Sequence, residues 1–199
     1  MAKLNLGFLA SHGGSNMQAI IDAIKSGKLN AKACCVISNN SKSGASERAA
    51  REGIPFYHIS GVKYPNPNDL ARAIIEKFEL HGVDTIVLAG YMKALDSSII
   101  KRFSGRVLNI HPALLPKYGG KGMYGEYVHK AVLESGDTVS GATVHLVNDE
   151  YDRGRILQQI EVPVLPDDTV ETLAARVLEK EHFIYADTLQ KIANGQIII

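Results

Sequence analysis

The sequence predicts an α/β protein built on a mostly parallel, twisted sheet with helices on both faces. Strand-like apolar runs alternate with stretches of helical periodicity through the first half of the chain. Several of these runs are short and continuously apolar, as expected of strands covered on both sides. Glycine- and asparagine-rich turns follow them, and in open sheets of this kind ligands gather outside the carboxyl ends of the strands.

The first run, about residues 3–10, ends in Ser11-His12-Gly13-Gly14-Ser15-Asn16, after which Met17, Ile20, Ile21 and Ile24 recur at helical spacing. A second strand is predicted over residues 33–37, bounded by Asn39-Asn40-Ser41, and a short helix over 45–51, before Gly53 and Pro55. Residues 69–78 read as a helix and 83–89 as a buried strand. Beyond Val107-Leu108 comes a loop rich in proline and glycine, then a helix over about 127–133, strands over 142–147 and 156–164, and a long amphipathic helix over about 170–192. No repeat, linker or low-complexity stretch divides the chain, so one domain over residues 1–199 is expected.

Composition narrows the class. The chain has 199 residues, 45% hydrophobic and 22% charged, and a formal net charge of +1, which gives no electrostatic case for nucleic acid or an acidic membrane as main partner. Cys34 and Cys35 are adjacent, so on a strand they point to opposite faces, which argues against a structural disulfide and for a reducing compartment. The N-terminal apolar run is too short and too interrupted for a signal peptide or a membrane span, and a cytoplasmic protein is expected. The seven histidines show no paired ligand spacing with cysteine or carboxylate, and no metal is expected.

Three constellations carry chemistry. Gly13-Gly14-Ser15-Asn16 lies between a strand and a helix, where unpaired N–H groups and the positive end of the helix favour a phosphate. The alternative is that Ser15 or Asn16 only caps the helix. The loop lacks the lysine of a nucleoside-triphosphate site and the pattern of a dinucleotide site, so a monophosphate ester fits better. Asn109-Ile110-His111-Pro112 lies at a strand end, and period-two alternation puts Asn109 and His111 on one face. An amide beside an imidazolium suits a developing oxyanion, although both side chains could instead satisfy loop backbone. Asn148-Asp149-Glu150-Tyr151-Asp152-Arg153-Gly154 is an acidic turn that can deliver a carboxylate to the same edge, or be a solvated turn. A carboxylate reaching His111 would raise its pKa and keep it charged near neutrality. His145, on the preceding strand, reads as a buried hydrogen-bonding partner near the site.

At these residues the chain resembles the phosphoribosylglycinamide formyltransferase family. The likeness runs through Gly14-Ser15-Asn16, Leu88-Ala89-Gly90-Tyr91-Met92-Lys93-Ala94-Leu95, Asn109-Ile110-His111-Pro112-Ala113-Leu114-Leu115-Pro116 and Asp152. It implies a Rossmann-like formyltransferase fold, with a phosphate-binding half over about 1–105 and a folate-binding, catalytic half over about 106–199. It further implies 10-formyltetrahydrofolate as co-substrate and glycinamide ribonucleotide as acceptor, in a monomer or homodimer. Asn109, His111 and Asp152 take the family's catalytic places, and the preference for Asp152 over Asp149 rests on the resemblance. Gly14, Ser15 and Asn16 take the substrate phosphate, and Glu181 the ribose end. Met92, Lys93, Ala94, Leu95, Asn109, Asn148, Asp149, Glu150, Tyr151 and Asp152 take the folate.

The sequence departs from the family in three places. Ser11-His12-Gly13 replaces the more usual serine-glycine-asparagine opening of the phosphate loop. The stretch from Tyr118 through Gly119-Gly120-Lys121-Gly122-Met123-Tyr124 to Gly125 is longer than the family's loop, and a lid is expected there. No arginine matches the one the family uses near the folate tail, and Lys63 is the candidate substitute. Related formylfolate hydrolases and tRNA-directed formyltransferases carry added domains, and a non-catalytic binding module would be expected to lose one of Asn109, His111 or Asp152.

Overall fold

The computed structural model describes residues 3–199; Met1 and Ala2, which open the N-terminal run, lie outside the described residues. Seven strands form one sheet in the order β3-β2-β1-β4-β5-β6-β7. They are β1 (Leu4–Ala10), β2 (Ala31–Ser38), β3 (Phe56–His58), β4 (Thr85–Leu88), β5 (Val107–His111), β6 (Val139–Leu146) and β7 (Ile156–Pro163). The first five run parallel, while β5–β6 and β6–β7 pair antiparallel. The helices are α1 (Ser15–Lys25), α2 (Gly44–Arg51), α3 (Pro67–Leu80), α4 (Ser97–Arg102), α5 (Glu126–Ser135) and α6 (Val170–Ala193).

Helices cover both faces of the sheet, as the continuous apolar strands require. One core joins Leu6, Phe8 and Val36 to Met17 and Ile20 of α1, Ala45 of α2 and Val177, Ile184 and Tyr185 of α6. The other joins Leu9, Ile37 and Ile86 to Ile74 and Phe78 of α3 and Ile99 of α4. Two elements go beyond the reading of the sequence. The three residues of β3 are too few to show a period, and the six of α4 follow a loop, with Asp96 accepting from the Ser98 N–H as its N-cap. No helix among the described residues is long and apolar enough to cross a membrane.

Two buried polar side chains fix the carboxyl edge of the sheet. The Tyr185 hydroxyl reaches the carbonyls of Leu88 at 3.2 Å and Leu108 at 2.9 Å, so α6 is tied to β4 and β5 near their ends. Thr143 of β6 donates to the Ala113 carbonyl at 2.6 Å and accepts from the Leu115 N–H at 3.1 Å. The chain leaves the sheet at Pro112, which has no N–H for the ladder, and Thr143 catches the departing loop.

Candidate functional site

The loop after β1 turns on Gly14, whose φ of +69° suits glycine and which is the N-cap of α1 without any side-chain capping bond. A side chain there would also meet Ala45 Cβ at 3.0 Å. The carbonyls of the loop are occupied from α2: His12 accepts from the Ala45 N–H at 3.0 Å and Gly13 from Arg48 Nε at 2.8 Å. The first N–H groups of α1 therefore carry the free hydrogen-bonding capacity, which is the arrangement that receives an anion. Ser15 and Asn16 are not caps, contrary to the plainer alternative. Asn16 instead sends its amide nitrogen 2.6 Å to Glu181 on α6, both side chains being buried.

Glu181 is thereby brought against the loop between β1 and α1. Burial pushes its carboxyl up to about 7, and the Asn16 bond only partly offsets this. The Asn16 carbonyl oxygen is buried and unpartnered. His12 is exposed beside this loop.

At the other end of the same edge, β5 and β6 align Asn109 with His145 and His111 with Thr143. His145 Nδ1 donates to the Leu146 carbonyl at 2.9 Å, so its Nε2 accepts from the Asn109 amide at 3.1 Å. That bond fixes which way the Asn109 amide faces and leaves its second N–H for a ligand. Asp152 comes from the turn after β6 and lies between the two imidazoles: Oδ2 is 3.5 Å from His111 Nδ1 and Oδ1 is 3.6 Å from His145 Nε2. Its φ of +56° is unusual outside glycine, though least so for Asp and Asn, and a conformation of this kind is commonly held at functional sites.

The three groups expected to be catalytic therefore converge, but the charge balance at His111 differs from expectation. Asp152 and the Tyr118 carbonyl do pull its pKa up. Burial is the larger influence and takes the ring below its ordinary value, since only 3% of the residue is exposed. Burial lowers His145 as well, against the Leu146 bond and Asp152.

Tyr118 and Gly120 bring the glycine-rich loop over this cluster. The Tyr118 carbonyl accepts from His111 Nε2 at 2.7 Å, and the Gly120 N–H donates to Asp152 Oδ2 at 2.9 Å. A Cβ at Gly119 would sit 2.5 Å from Leu115 Cδ2 and 3.2 Å from Asp152 Cβ, so a side chain there requires Leu115 to move.

A cavity of about 400 Å³ is lined by Ala94, Leu95 and Asp149 together with Leu70, Ala71 and Ile74 of α3 and Ile99 of α4. Asp149, the other candidate partner for His111, lines this cavity instead. Met92 is held by its N–H, which donates to Ser11 Oγ at 2.9 Å, and Lys93 is exposed. Asn148 folds the acidic turn by accepting from the Glu150 N–H at 3.1 Å, while Glu150 and Tyr151 project outward. Lys63 lies 5.9 Å over the Tyr64 ring and is not among the residues lining the cavity, so the structure gives no support to it as a substitute for the family's arginine. The contributions of α3 and α4 had no local signal, because the apolar residues of α3 suit a core helix and α4 itself went unread in the sequence.

Comparison with known proteins agrees with this fold. Residues 4–189 match the family model described as formyl transferase. A chloroplastic phosphoribosylglycinamide formyltransferase of Arabidopsis thaliana is 42% identical over 96% of this chain, and the chain spans 66% of that protein's length. The phosphoribosylglycinamide formyltransferase of Escherichia coli is 37% identical over 98% of this chain and 89% of its own. Among solved structures, glycinamide ribonucleotide transformylase 1 from Symbiobacterium toebii superposes with a TM-score of 0.92 at 38% identity, covering 99% of this chain and 91% of that one.

Proposed function

The chain belongs to the formyl transferase family, and from that premise we propose that it moves the formyl group of 10-formyltetrahydrofolate onto the amine of glycinamide ribonucleotide, a step of purine biosynthesis. The observation that carries the reading is the meeting of Asn109, His111 and Asp152 on the sheet edge that also bears the open N-terminus of α1. One ligand bound at that helix end by its phosphate can present an amine to the cluster. The cavity that Asp149 of the acidic turn helps to line has an apolar wall from Leu70, Ile74, Leu95 and Ile99 and a polar rim, which suits a flat heteroaromatic ring with hydrogen-bonding edges.

In this reading the amine attacks the formyl carbon directly. Negative charge gathers on the formyl oxygen and meets the free N–H of Asn109 and the His111 ring. Burial penalises a charged His111, and an oxyanion forming beside it offsets that penalty, so the imidazolium is favoured most where the transition state needs it. Asp152 takes the proton that the attacking nitrogen loses and, through water, returns one to the departing folate nitrogen, so protons balance. Gly14, Ser15 and Asn16 hold the phosphate, Glu181 faces the ribose, and Met92, Lys93, Ala94 and Leu95, with the turn at Asn148, Asp149, Glu150 and Tyr151, hold the folate.

We place the activity in one domain acting in the cytoplasm; the single sheet and the free, buried Cys34 and Cys35 support this. The test is a formyl-transfer assay with the two named substrates, followed by folate absorbance. Turnover that requires the amine supports transfer; equal turnover without it identifies a hydrolase and defeats the proposal.

A further inference from the structure

An imidazole beside a carboxylate has a second nitrogen whose partner decides where its proton resides. For His111 that partner is the main-chain carbonyl of Tyr118, 2.7 Å from Nε2. A carbonyl oxygen can only accept, so Nε2 carries hydrogen in every protonation state that keeps this contact. Nδ1, facing Asp152 at 3.5 Å, is then the nitrogen that gains and loses its proton.

Tyr118 is held in place by an apparatus of its own. Its hydroxyl bonds Ser135 and donates to Asp137, the Lys117 ammonium closes on the same Asp137 carboxylate, and that ammonium lies 5.0 Å over the Tyr118 ring. The backbone at Tyr118 has a φ of +57°, a region that bulky residues rarely occupy, so the surroundings must impose it. The carbonyl is aimed at His111 by a conformation that local preference opposes and the side-chain anchor sustains.

Building on the formyl-transfer reading, we propose that Tyr118 is a positioning residue: anchored through its ring hydroxyl, it presents its carbonyl to His111 Nε2 and so confines proton exchange to Nδ1, on the side of Asp152. The titratable groups facing the ring from the elements around it are Asp152 on the turn after β6, His145 on β6 and His129 on α5. None of these supplies what the carbonyl does, a permanent acceptor for Nε2.

The test follows nitrogen-15 signals of histidine in the full chain through a pH titration, alongside steady-state kinetics. In the wild type, neutral His111 should be the Nε2–H tautomer, with Nδ1 the nitrogen that titrates. Tyr118→Phe keeps the ring and cuts the anchor, while Tyr118→Gly tolerates the positive φ and frees the loop. Both should give mixed tautomers and move the His111 titration to lower pH, because the carbonyl contact raises its pKa. In both, kcat should fall by about tenfold, with KM for glycinamide ribonucleotide little changed. Should Tyr118→Gly fail to fold, Tyr118→Phe and Asp137→Asn report the same quantities. An Nδ1–H tautomer in the wild type, or tautomers and pH profiles unaltered in the folded variants, overturns the proposal. If the wild type transfers formyl and His111→Ala abolishes it while the Tyr118 variants behave as wild type, the positioning role fails and the function stands. If the tautomers shift as expected but the wild type has no transferase activity, the functional reading fails and the anchor remains.

Discussion

The two ends of the carboxyl edge use different physics. At the β1–α1 end, binding capacity comes from backbone: a glycine in a left-handed turn, carbonyls occupied by α2, and N–H groups pointing outward. At the β5–β6 end it comes from side chains, with two buried imidazoles, an amide and a carboxylate in mutual reach. Backbone donors do not titrate, so the hydrogen-bonding capacity of the first end is itself the same at any moderate pH. The second end owes its chemistry to titrating groups whose charge is expensive where they lie. On the proposed function, the contrast separates affinity from turnover along a single edge.

The sharpest way to break that separation is at the catalytic end. Asn109→Ala and His111→Ala should each lower kcat by roughly a hundredfold or more while circular dichroism and melting stay near wild type. A variant that retains near-native turnover removes its residue from the site. Asp152→Asn should shift the His111 titration by NMR to lower pH, because the carboxylate raises it; an unmoved titration would mean that Asp152 acts on something other than the ring.

Glu181 is the exception at the binding end, a titrating group buried beneath it. Its carboxyl rises from 4.5 unfolded to about 7 folded, so the native state keeps a proton that the unfolded chain releases. Stability should therefore be greatest below about pH 4.5 as far as this group is concerned, and decline on the order of 3 kcal/mol as pH rises to about 7. Glu181→Gln should flatten that part of the profile in urea titrations at about pH 5 and about pH 8. An equal slope in the variant assigns the dependence elsewhere.

Smaller effects sharpen the same contrast. Gly14→Val forces a β-branched residue into a left-handed turn against Ala45 and should raise KM for the phosphorylated substrate by about tenfold, with little change in kcat, if the backbone loop binds without reacting. A fall in kcat alone would contradict that division. Tyr185→Phe should cost about 1–2 kcal/mol in chemical denaturation, because two buried carbonyls lose a donor.

Much of this edge is legible in the sequence because it is made of local motifs. A strand followed by Gly13-Gly14 and helical spacing announces a glycine turn into a helix N-terminus, and period two puts Asn109 and His111 together. The pairing of Asp152 with His111 needed the resemblance, since an acidic turn by itself is commonly solvated. What stayed hidden is long-range or energetic. The Asn16–Glu181 bond spans the chain, and no local pattern shows that Asn16 turns inward when it is free to cap. The direction at His111 depended on how deeply it is buried against how near Asp152 comes, and a sequence supplies neither depth nor distance. The grip of Tyr118 on His111 depends on a backbone angle that tyrosine disfavours, which composition argues against.

Helix α6 bears both Glu181, which bonds Asn16 at the start of α1, and Tyr185, which bonds the ends of β4 and β5. These residues are one turn apart, so the final helix is a shared keel for the proposed substrate loop and for sheet closure. Progressive trimming from the carboxyl terminus should accordingly show a threshold: once the cut passes Tyr185, folding and substrate affinity fail together, and no shortened form keeps one without the other.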